Sequence, residues 1–117
     1  RQEPRTLANF LLNTKWKAMS ILGKPAGSAD STAELRADGT VTGNGGCNGY
    51  QGGVTLEGNA IEFGMLATTR MMCAPPVSGQ EIVFLEALGM ARSGEQSDNM
   101  LELFDAGNEI VLQLTRQ

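Results

Sequence analysis

The chain has 117 residues and a mass of 12.4 kDa, which is enough for one hydrophobic core and not for a second. Apolar residues at 41% against 19% charged exclude a disordered chain, while 15 glycines favour many turns, and so β structure, over long helices. Nine Lys and Arg against 13 Asp and Glu leave a net charge of -4, with the cations scattered along the chain and forming no basic stripe; this excludes a nucleic-acid partner, which needs clustered positive charge.

The chain begins at Arg1, and its opening, RQEPRTLANFLLNTKW, has neither the apolar length nor the cleavage pattern of a signal peptide. It reads as a processed or trimmed product, with residues 1–11 an N-terminal extension to a single domain over 12–117. No apolar run approaches the roughly 18 residues of a membrane-spanning helix. From Asn13 to Gly23, period-two alternation predicts a strand with Trp16, Ala18, Ser20 and Leu22 on one side and Lys15, Lys17, Met19 and Ile21 on the other. Lys24 to Ser31 is Gly, Pro and Ser material and reads as a loop.

Two hairpins follow. Thr32 to Arg36 and Thr40 to Gly43 flank Asp38-Gly39, and Tyr50 to Glu57 and Ala60 to Phe63 flank Gly58-Asn59; in the second, Val54 and Leu56 share a face, as do Ile61 and Phe63. Leu66 to Cys73 is expected to be extended. One helix is predicted over about residues 78–91, opened by a Ser78/Glu81 capping box with a Val77/Ile82 staple around it and blocked behind by Pro75 and Pro76. Its apolar arc of Val83, Phe84, Leu85, Ala87, Leu88, Met90 and Ala91 is wide enough to suggest a helix largely enclosed by its own domain. Arg92 to Gln96, Met100 to Phe104 and Glu109 to Thr115 complete the strands, with Ile110, Leu112 and Leu114 facing the core. The expected fold is α+β and mostly β: a compact antiparallel sheet, closed or nearly closed like a barrel, with one packed helix.

Chemistry concentrates in two stretches. Gly43 to Gly53, GNGGCNGYQGG, holds six glycines in eleven residues, which a regular strand does not explain; a bulge or bent strand, or a nest of backbone N–H groups for an anion, does. It lacks the lysine of a nucleotide-binding loop, because no Lys occurs after Lys24. Asn48 reads as a turn residue, bonding its own backbone or adopting a left-handed bend with Gly49. The second stretch is Ala67 to Pro76, ATTRMMCAPP. Here Arg70 suits a rim salt bridge to Glu62 or Glu81, or an anchor for a partner carboxylate. Met65, Met71 and Met72 read first as core filling and second as an adaptable surface.

Cys47 and Cys73 are the only cysteines, and both a single disulfide and two buried thiols are compatible with their spacing. The sequence has no histidine, so the commonest thiol-activating base is missing, and two cysteines do not complete a structural zinc site. The carboxylates form no glycosidase or two-metal pattern. No catalytic, cofactor-binding or metal-binding residue is expected, and no enzyme activity.

Several elements together resemble a known family: Trp16 after Asn13-Thr14; Gly46-Cys47-Asn48 with Tyr50 and Gly52; Leu66-Ala67-Thr68-Thr69-Arg70-Met71-Met72-Cys73 with Pro75; Glu81 and Phe84-Leu85 in a helix ending at Leu88; and the closing strands with Leu101, Leu103, Ile110 and Leu112. From Leu12 to Thr115 the chain is similar to the META domain family, which includes the bacterial heat-shock protein HslJ. The family pattern often has Ala where this chain has Met72. The resemblance implies a compact antiparallel fold with a packed helix, similar to pilotin proteins, and a periplasmic or outer-membrane-attached location, which favours the Cys47–Cys73 bridge. It implies links to heat shock and novobiocin resistance and no established activity. Gly46, Asn48, Tyr50, Gly52, Thr69, Arg70 and Pro75 then form a structural motif, and Arg70, Met71 and Met72 are the candidate contact for an envelope protein or lipid. The leading expectation is a non-catalytic envelope domain acting in stress tolerance; the alternatives are a carrier of a small apolar ligand and an uncharacterised hydrolase.

Overall fold

A computed structural model describes residues 14–27 and 29–117. The expected extension over 1–11 lies outside the described residues. Among these, nine strands and one helix follow in the order β1 (Thr14–Ile21), β2 (Lys24–Pro25), β3 (Thr32–Leu35), β4 (Thr40–Asn44), β5 (Gly49–Glu57), β6 (Ala60–Thr68), α1 (Val77–Met90), β7 (Ser93–Ser97), β8 (Met100–Phe104) and β9 (Ile110–Arg116). Each paired neighbour is antiparallel, and the ladder runs β1-β3-β4-β5-β6-β7-β8-β9 before returning from β9 to β1. The short β2 pairs with the far end of β1, beyond β3. The result is a mostly antiparallel β-sheet closing into a near-ring with one packed helix, the architecture that the alternating stretches imply.

The hairpins form as their turn residues dictate. Asp38 Oδ1 accepts hydrogen bonds from the Thr40 backbone N–H and hydroxyl, closing the β3–β4 turn. Val54 pairs with Phe63 and Leu56 with Ile61 across β5 and β6, so the apolar residues of both strands share the inner face. Trp16, Leu35, Val41, Ile61, Leu101, Leu103, Leu112 and Leu114 fill the interior from the strands, and Phe84, Ala87, Leu88 and Ala91 close it from the helix.

Three register shifts reset the side-chain phase. Between Ala18 and Ser20 the β1–β9 ladder slips, so Trp16, Ala18 and Ile21 are buried together while Met19 turns outward; simple alternation had put Ile21 opposite Trp16. A slip between Leu103 and Phe104 on β8 buries Val111 and exposes Ile110, again against alternation. In β6, Gly64 and Met65 together oppose Gly53, a bulge in the glycine-rich strand pair. An extra residue in one strand inverts the facing of everything beyond it.

The helix departs from expectation in three respects. Pro76 occupies the N-cap position and no side chain caps the helix, so Ser78 and Glu81 form no capping box. Ile82 is 66% exposed and does not staple to Val77. Only the stripe through Phe84, Ala87, Leu88 and Ala91 is buried, with Val83 and Met90 partly exposed, so the helix packs one face on the sheet and is not enclosed by it. Finally, β6 ends at Thr68; Thr69 to Ala74 form an irregular segment leading to the helix rather than more strand.

Candidate functional site at the asparagine and cysteine corner

The glycine-rich stretch leaves β4, turns at Gly45 to Asn48 and re-enters the sheet as β5. The N-terminal turns of α1 are tied to it by two consecutive polar residues, Gln80 and Glu81. Glu81 Oε1 accepts the backbone N–H groups of Cys47 (2.9 Å) and Asn48, while its Oε2 accepts the Asn48 side-chain amide at 2.7 Å. The loop is thus a nest of N–H groups, and the anion in it is the chain's own carboxylate. Burial pushes the Glu81 carboxyl upward, but donation from the Asn48 amide and from the N–H groups of Asn48 and Cys47 outweighs it and holds the group below its ordinary value. Gln80, the preceding residue, ties down a second loop: it accepts the Gly27 N–H and donates to Ala29 O and to the buried Ser31 hydroxyl, which itself donates to Gly45 O.

Asn48 is buried and uses its whole amide. Its Oδ1 accepts the Thr69 hydroxyl (2.9 Å) and the Met71 N–H (2.6 Å), and its Nδ2 donates to Met71 O (3.2 Å) as well as to Glu81. Two donors and two acceptor positions are all occupied, which an amide achieves only in a rigid surround. Asn48 therefore does not bond its own turn and has no left-handed φ; Asn44 takes the local turn role, accepting the Gly46 N–H at 2.7 Å. Next to this network Cys47 and Cys73 are joined as a disulfide, with Cα atoms 6.2 Å apart. Bridge and amide together pin the segment after β6 to the loop before β5.

Gly46 takes a φ of +139°, a backbone conformation few side chains tolerate. At Gly43 a methyl group would overlap the Thr32 carbonyl. The same carbonyl accepts the Tyr50 hydroxyl at 2.7 Å, and the Tyr50 ring meets Phe84 edge-on at 6.1 Å, so the strand, the loop and the helix converge there. Burial pushes the Tyr50 hydroxyl pKa far above its ordinary value, so it remains a donor.

The structure gathers Gly46, Cys47, Asn48, Thr69, Met71 and Cys73 into one corner, with Tyr50 beneath it. Gly52 sits further along β5, paired with Leu66, and Pro75 joins Pro76 through a cis peptide bond ahead of the helix. Arg70 is exposed and forms no ion pair with any described residue, so neither Glu62 nor Glu81 is its partner. The methionines are not core: Met65 is 96%, Met71 62% and Met72 99% exposed. Sequence reasoning missed Gln80, Ser31 and Thr32; the one available signal was the adjacent Gln80-Glu81 pair in an apolar helix. Among the described residues, no three His, Cys, Asp or Glu side chains converge as a metal site, and no helix is long and apolar enough to cross a membrane.

A carrier would need room inside the barrel, yet Trp16, Phe84 and Leu112 fill it with no exposed surface. Beside the helix, a surface groove of about 330 Å³ runs between Ile21, Leu22, Ala26, Pro76 and Val83.

With this geometry, residues 8–117 match the META domain. The chain belongs to the META domain family. Among solved structures, this META domain is similar to a protein from Burkholderia xenovorans determined by NMR, with a TM-score of 0.75 and 24% identity over 100% of this chain and 92% of that one. A second NMR structure gives 0.71 and 23% identity over 92% of each chain. A crystal structure of a duf4847 family protein from Bacteroides vulgatus gives 0.68 and 17% identity over 93% and 96%. At these identities the likeness establishes the fold alone. No curated protein matches the chain significantly.

Proposed function

We propose that this META domain is a non-catalytic, HslJ-like domain of the bacterial envelope that supports stress tolerance by binding another protein through the segment Thr69 to Cys73. The observation that carries the reading is the contrast within that segment. Its backbone is fixed by Asn48 and the disulfide, while Arg70, Met71 and Met72 stand in solvent. Exposed methionines on a rigid support are an adaptable apolar contact whose ordering cost is already met. A protein is favoured over an anionic lipid surface because the chain carries a net charge of -4 and no basic patch. Family membership and the missing catalytic constellation support a non-enzymatic role.

The test uses a strain lacking the gene, complemented with wild type or with Arg70→Ser/Met71→Ser/Met72→Ser, scored for survival at elevated temperature and in novobiocin. The expected result is loss of tolerance at an unchanged protein level and unchanged thermal unfolding. Equal survival of the variant and the wild type would sink the reading.

A further inference from the structure

The near-ring is incomplete along β6. On one side β6 pairs with β5 over its length; on the other, the described pairing to β7 consists of Ala60 with Ser93. The Thr69 N–H donates to Gly49 O, toward β5, so by alternation the backbone groups of Thr68 and Leu66 face the open side. No described strand pairs with that edge from Phe63 to Thr68.

Sheet edges in soluble proteins are normally blunted by charge, proline or shortness. The other edge strand here, β2, is two residues long and reads Lys24-Pro25. Of charge, proline and shortness the β6 edge has none, its one interruption being the Gly64-Met65 bulge: FGMLAT, Phe63 to Thr68, carries no charge and no proline, and Met65 projects from it 96% exposed. Charge resumes at its two ends, with Glu62 before and Arg70 after, both exposed.

We infer that this edge pairs with the same edge of a second copy of the chain, antiparallel across a two-fold axis at Leu66. The ends of the segment fix the choice of occupant and of register. Setting Leu66 opposite Leu66 of the second copy places the Gly64-Met65 bulge against Ala67 and brings Glu62 of each copy opposite Thr69 of the other, next to Arg70 and within reach of its long side chain. The flanking charges, which have opposite sign, then meet twice by symmetry. A parallel arrangement would set Glu62 against Glu62 and Arg70 against Arg70. The interface shares Arg70 with the contact proposed above but needs nothing from Met71 or Met72, and Met65→Lys and Glu62→Arg, which lie outside that contact, test it separately.

Sedimentation equilibrium of the full 117-residue chain with its disulfide intact tests the pairing. The chain is expected to dimerise with rising concentration, and Met65→Lys, at a site too exposed to affect folding, to weaken association by about tenfold or more. Glu62→Arg and Arg70→Glu alone are each expected to weaken it by roughly three- to thirty-fold, because each reverses two symmetry-related pairs, and the double reversal to restore it. Thermal unfolding of every variant confirms that the monomer is intact. A chain monomeric at all concentrations, a dimer indifferent to Met65→Lys or to the single reversals, or a double reversal no tighter than the singles each overturns the inference.

Discussion

Around the ring, β1 and β9 are joined along Trp16 to Ile21, whereas β6 and β7 meet at Ala60 and Ser93. At the first seam, backbone ladder and core coincide: Trp16, Ile21, Leu112 and Leu114 sit on the paired residues and are all buried. Beside the second, the ladder gives out, and the helix is held to the barrel by side chains instead. Glu81 and Gln80 clasp two loops, Asn48 ties down the segment after β6, and the disulfide locks it. A seam made of ladder and core stands or falls with the whole fold, while one made of a few specific side chains can be loosened locally.

Breaking the first seam should have the largest effect. Trp16→Ala removes a fully buried ring, along with its indole hydrogen bond to Thr14 Oγ1, and is expected to cost about 3–5 kcal/mol in denaturant unfolding, with exchange protection lost throughout. Next, Cys47→Ser/Cys73→Ser opens a loop with a sequence separation of 26; chain entropy puts the loss at about 3 kcal/mol, with the first exchange-competent amides between Thr69 and Pro76. Asn48→Ala strands Met71 N–H and weakens the hold on Glu81, for about 2 kcal/mol, and here too local opening should precede global unfolding by hydrogen exchange.

The pH dependence sharpens the same contrast. Because the Glu81 carboxyl lies below its ordinary value when folded, its contribution is fully present above the unfolded-state pKa and is lost as pH falls through the folded one. Glu81→Gln should therefore flatten the acid side of the stability profile, measured by denaturant midpoints from neutral pH downward. A profile parallel to that of the wild type would refute the carboxylate's role as the anion in the nest. Smallest of all, Met72→Ser should change stability by no more than about 0.5 kcal/mol, since the side chain touches little.

Much of the fold was legible because period-two alternation and Gly or Asp turns act locally. Val54, Leu56, Ile61 and Phe63 face the core as their spacing requires, and the helix falls within one residue of its expected bounds. The bulges were not legible. Ile21 turns inward and Ile110 outward because of how β1 and β8 stagger against β9, a property of two strands that neither strand states alone. Glu81 was misread for a different reason: its spacing from Ser78 matches a capping box, but Pro76 takes the cap position and frees the carboxylate for a loop more than thirty residues away in sequence. The methionines fill no gap because Trp16, Phe84 and the leucines already fill the interior.

Closure of the ring by its first and last strands has a temporal consequence. Trp16 finds its partner Arg116 a hundred residues further along the chain, so a polypeptide emerging from a ribosome cannot shut the barrel until Ile110 to Arg116 has cleared the exit. Until then the Trp16 face of the opening strand has no lid from β9. The domain completes its folding only after its own last strand has been made, and the half-made sheet is the species for which a chaperone has most to shield.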